Sequence, residues 1–263
     1  MATDWLALCR GAAEDVRVVL AELPTRAERE PVVAHGEGGD DTTAIDAAAE
    51  RVILARFADV DASIVSEEVG ERGSGGTRVV IDPIDGSLNA KRGIPFFALS
   101  IAVAVGATMG DVEFAFVHDF GSGEEWTARR GEGAFLNGEP LGPQLPKERI
   151  ELLAFEATLT REVAEKAAAF NGLAHRFRIM GSLAISLCHL AAGRLDAVCS
   201  LKPYRSVDVA AGQLLVRERG LAVANADGGD SFSDAPLDLV PRSRIAAAGT
   251  DDVCRQVIAA LSA

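Results

Sequence analysis

The stretch from Val79 to Asn89 reads VVIDPIDGSLN, and the rest of the chain is organised around it. Its first three residues are β-branched and apolar, which predicts a buried strand. We expect that strand to end before Asp82, because Pro83 fixes the backbone and stiffens a turn toward Asp85. The two carboxylates are therefore predicted to point into one small volume at the end of the strand.

Two carboxylates held this close repel each other unless a cation lies between them. Hard oxygen ligands suit Mg²⁺, or Mn²⁺ in its place. Gly86 and Ser87 follow directly at a predicted helix start, where backbone N–H groups can hold an anion. A metal beside an anion site indicates phosphate chemistry. The plain alternative is an acidic turn after a strand.

The composition indicates a folded globular protein with an acidic surface. The 263 residues are 48% hydrophobic, with a net charge of −13 and a pI near 4.8. No basic stripe is present, so we expect neither nucleic-acid binding nor binding to an anionic membrane. An acid-rich chain with few lysines fits a high-salt cytoplasm, and it fits a GC-rich genome as well.

The four cysteines, Cys9, Cys188, Cys199 and Cys254, show no metal-binding spacing, so they are predicted to be buried free thiols. The first residues lack the basic and apolar segments of a signal peptide. No apolar run reaches the length of a membrane span. We therefore expect a cytoplasmic protein.

The first half of the sequence predicts helices and a meander of strands. Helical spacing of apolar residues runs from residue 4 to about 22, and a second helix follows Thr42. Between them, residues 32–41 read VVAHGEGGDD, which indicates either a linker or a mobile active-site flap. A short strand, Ser63 to Ser66, ends in acid, and residues 70–76 are expected to form a second loop.

A Pro- and Gly-rich connection, residues 140–146, marks the predicted domain boundary. It divides the chain into residues 1–146 and residues 147–263. Beyond it, strands and helices alternate, with Ser182 and Asp208 as predicted helix N-caps. The whole pattern predicts an α+β fold in two layered halves.

Five acids lie at ends of predicted elements: Asp46, Glu67, Asp82, Asp85 and Asp208. Taken alone, each acid could have a purely structural role. The carboxylate of Asp46, for instance, would interact favourably with the dipole of the helix that begins there. The motifs around them occur in a set order: GDDTTAID (39–46), SEE (66–68), DPIDGSLN (82–89), GEGAFLNG (131–138), GSLA (181–184) and VDVAAGQLLVRERG (207–220). With these motifs the chain resembles the inositol monophosphatase superfamily of Mg²⁺-dependent, Li⁺-sensitive phosphatases.

The resemblance implies a layered αβαβα sandwich, with two mixed or antiparallel sheets between helix layers. It also implies a metal centre, with metal ligands Glu67, Asp82, the carbonyl of Ile84, Asp85 and Asp208. It assigns a catalytic role to Asp46, Ser87 and Glu67, with Asp46 activating the attacking water through the Ser87 hydroxyl. The family usually forms homodimers, which implies the same here.

Substrate contacts are implied at Asp85, at the amides of Gly86 and Ser87, and at Gly181, Ser182 and Leu183. Two positions in the second half of the chain depart from the family pattern. Leu201 stands where animal inositol phosphatases carry a carboxylate, and Val207 stands where an aromatic is common. The basic segment Lys202–Arg205 is similar to the archaeal-type branch, and Arg205 is predicted to contact a second phosphate.

The resemblance therefore implies hydrolysis of fructose 1,6-bisphosphate, of myo-inositol 1-phosphate, or of both. An alternative is a 3′-phosphoadenosine 5′-phosphate phosphatase, which shares the metal motifs. The third alternative is a non-catalytic regulatory protein on the same fold. Such a protein would tolerate loss of the metal carboxylates, so the presence of all five acids counts against it.

Overall fold

The structure, a computed structural model, describes residues 3–143, 147, 149–229 and 231–263. The α-helices of this part are α1 (Trp5–Glu22), α2 (Arg26–Arg29), α3 (Ala44–Arg56), α4 (Ser87–Arg92), α5 (Thr160–Lys166), α6 (Leu183–Ala191), α7 (Ser206–Glu218) and α8 (Asp251–Ser262).

The strands before the predicted domain boundary are β1 (Val32–His35), β2 (Asp41–Thr43), β3 (Ala62–Ser66), β4 (Gly70–Arg72), β5 (Thr77–Asp85), β6 (Ala98–Ala104), β7 (Val112–Asp119), β8 (Glu125–Arg129), β9 (Gly133–Leu136) and β10 (Glu139–Pro140). Those after it are β11 (Ile150–Glu156), β12 (Ala174–Arg178), β13 (Ala197–Ser200), β14 (Ala222–Asn225) and β15 (Ile245–Ala248).

The strands form two large sheets and one hairpin. The first sheet has the order β10-β9-β8-β7-β6-β5-β3-β4, and the second has the order β12-β11-β13-β15-β14. The hairpin pairs β1 with β2. Both large sheets are mixed, because β3 runs parallel to β5, and β11 runs parallel to β12 and β13, while other pairs are antiparallel.

The first sheet is covered on both faces, and its central strands alternate between two cores. In β5, Val79 and Ile81 pack against α1 and α3 on the outer face. Val80 points inward, toward α6 and α7. In β6, Leu99 faces outward and Ala102 inward, as the two-residue period of a strand requires.

Helices α6 and α7 lie between the two sheets. Eight of the nine residues of α6 are buried, as expected for a helix covered on every side. Ala154, Val198 and Ala247 of the second sheet join the same inner core. On the far face of that sheet, Phe155 and Cys199 pack with α8. The layers therefore alternate helix, sheet, helix, sheet, helix, and the predicted α+β sandwich is confirmed.

Several predicted elements are confirmed, and others are corrected. The Asn-Gly pair that ends the motif of residues 131–138 forms the tight turn that such a pair favours, with Asn137 and Gly138 at φ 52° and 81° between β9 and β10. The loop expected over residues 32–41 is instead a hairpin with a glycine-rich tip. The loop expected over residues 70–76 begins with the edge strand β4. Strand β14 was not expected.

Two corrections concern site residues. Strand β5 continues to Asp85, although Pro83 was expected to end it before Asp82. Helix α7 begins earlier than predicted, with Arg205 at the N-cap position and Asp208 one turn later, where it accepts from the Arg205 N–H at 2.6 Å. Asp208 therefore caps the helix from inside its first turn.

The predicted domain boundary falls partly on residues 144–146, outside the described residues. The strands of the first sheet end at Pro140, and those of the second begin at Ile150. Helix α7 nevertheless packs on β6 and β7 of the first sheet, so the two halves share the inner core.

The four cysteines are buried free thiols, as predicted. Within the described residues, no helix combines the length and the apolar character that crossing a membrane would need.

Candidate metal and phosphate site

A β-bulge in β5 turns Asp82 and Asp85 toward the same side of the sheet. Asp82 pairs with Ser100 and Asp85 with Ala98, so three steps on one strand oppose two on its neighbour. Simple alternation would send Asp85 outward with Val79 and Ile81. The extra residue reverses the alternation, so Ile84 packs in the outer core and Asp85 faces inward. Pro83 is tolerated because a bulge interrupts the ladder.

Helix α6 holds Asp85 at its N-terminus. The Ser182 hydroxyl donates to Asp85 Oδ2 at 2.5 Å, and the Ala184 N–H donates to the same oxygen at 2.7 Å. Ser182 is the N-cap, as predicted, since its side chain accepts from the Ile185 N–H at 3.2 Å. These two donors hold Oδ2 of the Asp85 carboxylate at the start of α6.

Gly86 and Ser87 follow at the start of α4. Gly86 has φ 94°, and a Cβ there would lie 3.0 Å from the Gly181 carbonyl oxygen, so only glycine fits. The Ser87 hydroxyl donates to the Ile84 carbonyl oxygen at 2.9 Å. The predicted relay serine therefore contacts the carbonyl that was predicted as a metal ligand.

Asp46 lies in the first turn of α3, where its Oδ2 accepts from the Thr43 N–H at 3.1 Å and the Thr43 hydroxyl at 2.5 Å. This is the capping role that the sequence indicates. Among the described atoms, Asp46 Oδ1 is buried and has no hydrogen-bond partner. A buried oxygen without a donor is costly, which favours a further ligand such as a water molecule at this position.

Arg205 lies among the carboxylates rather than free in the cleft. Its Nη2 is 2.7 Å from Glu67 Oε1 and 3.0 Å from Asp208 Oδ1. Its Nη1 is 3.2 Å from Asp40 at the tip of the β1–β2 hairpin. The positively charged Nη2 group therefore lies between the carboxylates of two predicted metal ligands.

The electrostatics show four acids in one cluster. Burial raises the pKa of Glu67 to about 8, with Arg205 opposing and Asp208 adding to the rise. Burial also raises the pKa of Asp82 well above its usual value, and the charges of Glu67 and Asp85 add to it. For Asp85, burial raises the pKa to about 6, and the Ser182 hydrogen bond opposes the rise.

These oxygens fit a hard divalent cation. Across the described residues, no three Asp, Glu, His or Cys side chains already converge at metal-ligand spacing. The Arg205 guanidinium engages two of the predicted ligands, Glu67 and Asp208, itself. Yet Asp82 is only 2% exposed and is surrounded by like charges that raise its pKa. Such a group favours a bound cation, and the all-oxygen donors suit Mg²⁺ or Mn²⁺.

Two further acids near the site, Glu50 and Glu156, were missed in the sequence, and Glu68 was noted only as part of the SEE motif. Glu50 accepts from the Ser66 hydroxyl at 2.6 Å and from the N–H groups of Glu68 and Val69, so it holds the turn that carries Glu67. Glu68 accepts from the Thr42 hydroxyl. Glu156 ends β11 and is 1% exposed. The signal was available, since Glu50 is one helical turn after Asp46 and Glu156 is another acid at a strand end.

The buried Glu156 is expected to make stability depend on pH. Burial raises its pKa from 4.5 to about 8, with the Ser186 hydrogen bond opposing. The folded protein therefore holds a proton that the unfolded chain releases, so this stabilisation is complete below pH 4.5 and is lost as pH rises toward 8.

Denaturant unfolding of metal-free protein at pH 5 and pH 8 tests this. The wild type is expected to lose a few kcal/mol more than Glu156→Gln between these pH values, because the amide does not titrate. Equal losses in the two proteins would contradict the assignment.

Comparisons with known proteins place the chain in one family. The sequence profile of the inositol monophosphatase family matches residues 5–262. A fructose-1,6-bisphosphatase/inositol-1-monophosphatase of Thermococcus kodakarensis is 31% identical over 263 residues, covering 99% of this chain and 98% of the relative. The Nus factor SuhB of Escherichia coli is 38% identical, covering 76% and 78%. A crystal structure described as an inositol monophosphatase–fructose 1,6-bisphosphatase superposes with a TM-score of 0.87 at 25% identity, covering 98% of this chain and 100% of that one.

The chain belongs to the inositol monophosphatase family, which the sequence motifs predicted. It is a phosphatase of phosphate monoesters, as its fold and its family define.

Proposed function

We propose that this protein is a Mg²⁺-dependent phosphatase that hydrolyses a sugar or cyclitol phosphate, either fructose 1,6-bisphosphate, myo-inositol 1-phosphate or both. The observation that carries the proposal is the inward-facing pair Asp82 and Asp85, joined by Glu67 and Asp208 in one buried cluster. The names of the archaeal relatives support the substrate class. The Nus factor relatives support a regulatory alternative, but the retained acids favour hydrolysis.

In this proposal the metal is held by Glu67, Asp82, Asp85, Asp208 and the carbonyl of Ile84. A bound divalent cation would lower the pKa of a water molecule and stabilise the leaving oxygen. Mn²⁺ is the expected substitute and Li⁺ the expected inhibitor. Residues 1–146 supply most of these ligands, and residues 147–263 supply Asp208 and the substrate segment.

The remaining site residues bind the ester and orient the water. The backbone amides of Gly86 and Ser87 bind the phosphate, and Asp85 also belongs to the phosphate-binding residues. Gly181, Ser182 and Leu183 contact the hydroxyls of the substrate. The Ser87 hydroxyl orients the water, and the proton passes to Asp46, whose Oδ1 has no other partner in the described structure. Between Asp46 and Ser87 themselves no direct hydrogen bond is formed, so the relay requires the serine hydroxyl to turn from Ile84.

Phosphate release from a panel of esters tests the function. Fructose 1,6-bisphosphate, myo-inositol 1-phosphate and 3′-phosphoadenosine 5′-phosphate are each incubated with and without Mg²⁺. Mg²⁺-dependent release from either of the first two supports the proposal, and preference for the third favours the nucleotide phosphatase. No release from any ester favours the regulatory alternative. Light scattering in the same buffer tests the proposed homodimer.

Arg205 is expected to affect bisphosphates more than monophosphates. Its three carboxylate partners and the Gly38 carbonyl together engage its donors, so none is free for a second phosphate until a metal takes Glu67 and Asp208. Once released, it can make a charge-assisted hydrogen bond of about 1.5–3 kcal/mol. Arg205→Ala should therefore lower kcat/KM for fructose 1,6-bisphosphate by about ten- to a hundredfold and change that for inositol 1-phosphate little.

The matched control for Arg205 is Arg242→Ala, which removes an exposed arginine paired with Asp238. Both substrates are measured at the same salt concentration, because salt weakens exposed charge pairs. Equal losses for the two substrates would show that Arg205 does not contact a second phosphate.

A further inference from the structure

The buried carboxyl group of Glu156, in the second sheet, holds the segment that contacts Asp85 and that we propose contacts the substrate. Glu156 Oε2 accepts from the Gly181 N–H at 2.9 Å, and its Oε1 accepts from the Ser186 hydroxyl at 2.6 Å. Gly181 precedes the N-cap of α6, and Ser186 lies one turn inside that helix. The side chain therefore spans the start of α6.

The opposite side of the same helix start is held by Asp85. Ser182 and Ala184 donate to Asp85 from the first turn of α6. Asp85 belongs to the first sheet and Glu156 to the second, so the helix start is held between two carboxylates from different sheets. A shift of this turn would move the donors that orient Asp85 and, with them, the substrate segment.

Nothing else in the described structure explains a carboxylate at this position. Glu156 is 1% exposed, and within the described residues it has no ion-pair partner. Burying such a group is costly unless its hydrogen bonds serve a purpose. An apolar residue at the end of β11 would instead extend the inner core, to which Ala154 belongs two residues earlier on the same face of the strand.

We propose that Glu156 is a positioning residue, which fixes Gly181 and the start of α6 and thereby sets the orientation of Asp85 toward the metal. The proposal rests on the proposed function, because it assigns Asp85 to the metal. Glu156 itself contacts neither the metal nor the substrate. Its effect passes through Gly181 and Ser186 to Ser182, and from Ser182 to Asp85.

The test compares Glu156→Leu with Glu156→Gln. Leucine removes both contacts, whereas glutamine keeps them, because its oxygen accepts from Gly181 and the Ser186 hydroxyl can accept from its amide. Residues that orient a metal ligand typically change metal affinity by about 10–100-fold. We expect Glu156→Leu to weaken Mn²⁺ binding by about tenfold and Glu156→Gln to stay within about threefold of wild type.

The readouts are Mn²⁺ affinity by titration calorimetry without substrate, the melting temperature, and kcat and KM for the best ester of the panel. The matched control is Glu218→Leu. Glu218 also accepts from two glycine N–H groups, those of Gly131 and Gly133, at 2.9 Å each. It lies at the far end of α7, about 15 Å along the helix from Asp208. Its loss is expected to lower the melting temperature and leave Mn²⁺ affinity unchanged.

Mn²⁺ affinity of Glu156→Leu within twofold of wild type would overturn the proposal, and so would an equal loss in Glu156→Gln. If Glu156→Leu fails to fold, Ser186→Ala replaces it, with an expected loss of about tenfold, and an affinity within threefold of wild type in that variant would also overturn the proposal. A wild type that binds no Mn²⁺ and releases no phosphate would overturn the proposed function together with this assignment. A wild type that binds Mn²⁺, with Glu156→Leu unaffected, would overturn this assignment alone.

Discussion

Asp82→Asn and Asp208→Asn are each expected to reduce metal-dependent phosphate release by about 10²–10³-fold, the loss seen when a major electrostatic contributor is removed from an active site. Each substitution replaces an anionic oxygen with an amide and so weakens the hold on a divalent cation. Backbone contacts survive, because the asparagine oxygen can still accept from Ile84 N–H or Arg205 N–H.

Stability should change in the opposite direction. Burial and the charges of Glu67 and Asp85 raise the pKa of Asp82, so the metal-free site contains unfavourable like-charge contacts. Asp82→Asn relieves them, and the melting temperature in EDTA should match or exceed that of the wild type, by about 2–4 °C for each kcal/mol gained.

Steady-state rates and thermal melts of the same samples check both expectations. Asp111→Asn is the matched control, since Asp111 caps a short turn through Thr108 and lies at the other end of the first sheet. It should lose stability and keep activity. Retained activity in Asp82→Asn or Asp208→Asn would show that the metal assignment is wrong.

Ser87→Ala and Asp46→Asn should each lower kcat by about 10²-fold or more while metal binding is kept, as is typical when a positioned proton-transfer group is removed. If the serine hydroxyl passes the proton to Asp46, the two residues act as one unit. The double variant should then be no slower than the more damaged single variant.

The control for this pair is Ser63→Ala, which removes a similar hydroxyl bonded to a backbone carbonyl, that of Thr77. Asp46→Asn also needs a stability measurement, because Asp46 caps α3 through Thr43. Calorimetry of Mn²⁺ binding separates a lost relay from a lost metal. Fully additive defects in the double variant would contradict the relay.

Much of the architecture could be predicted because it depends on local chemistry. The predicted meander of strands in the first half and the alternation of strands and helices in the second are present, and Ser182 is the N-cap that the sequence predicted. The predicted boundaries of strands and helices are least accurate where tertiary contacts override the local conformational preference of the sequence. Pro83 remains inside a strand because a neighbouring strand accommodates the bulge, and β14 forms on an edge supplied by β15.

The motif order by itself determined the family, and it predicted the acids of the candidate site. Which of these acids share a volume was decided only by the tertiary structure. Asp82 and Asp85 face the same side because of the bulge, and Asp208 reaches them because α7 packs on the first sheet.

The sequence also determined that Arg205 is a cation beside Asp208, but its partners were not predictable. The β1–β2 hairpin brings Asp40 to it, and the turn after β3 brings Glu67. The role of Glu156 was hidden for the same reason, since its partners are 25 and 30 residues away in the chain. Local sequence patterns indicate the backbone conformation that a residue adopts. Contacts between segments distant in the chain depend on how the helix and sheet layers pack, and only the folded structure shows that packing.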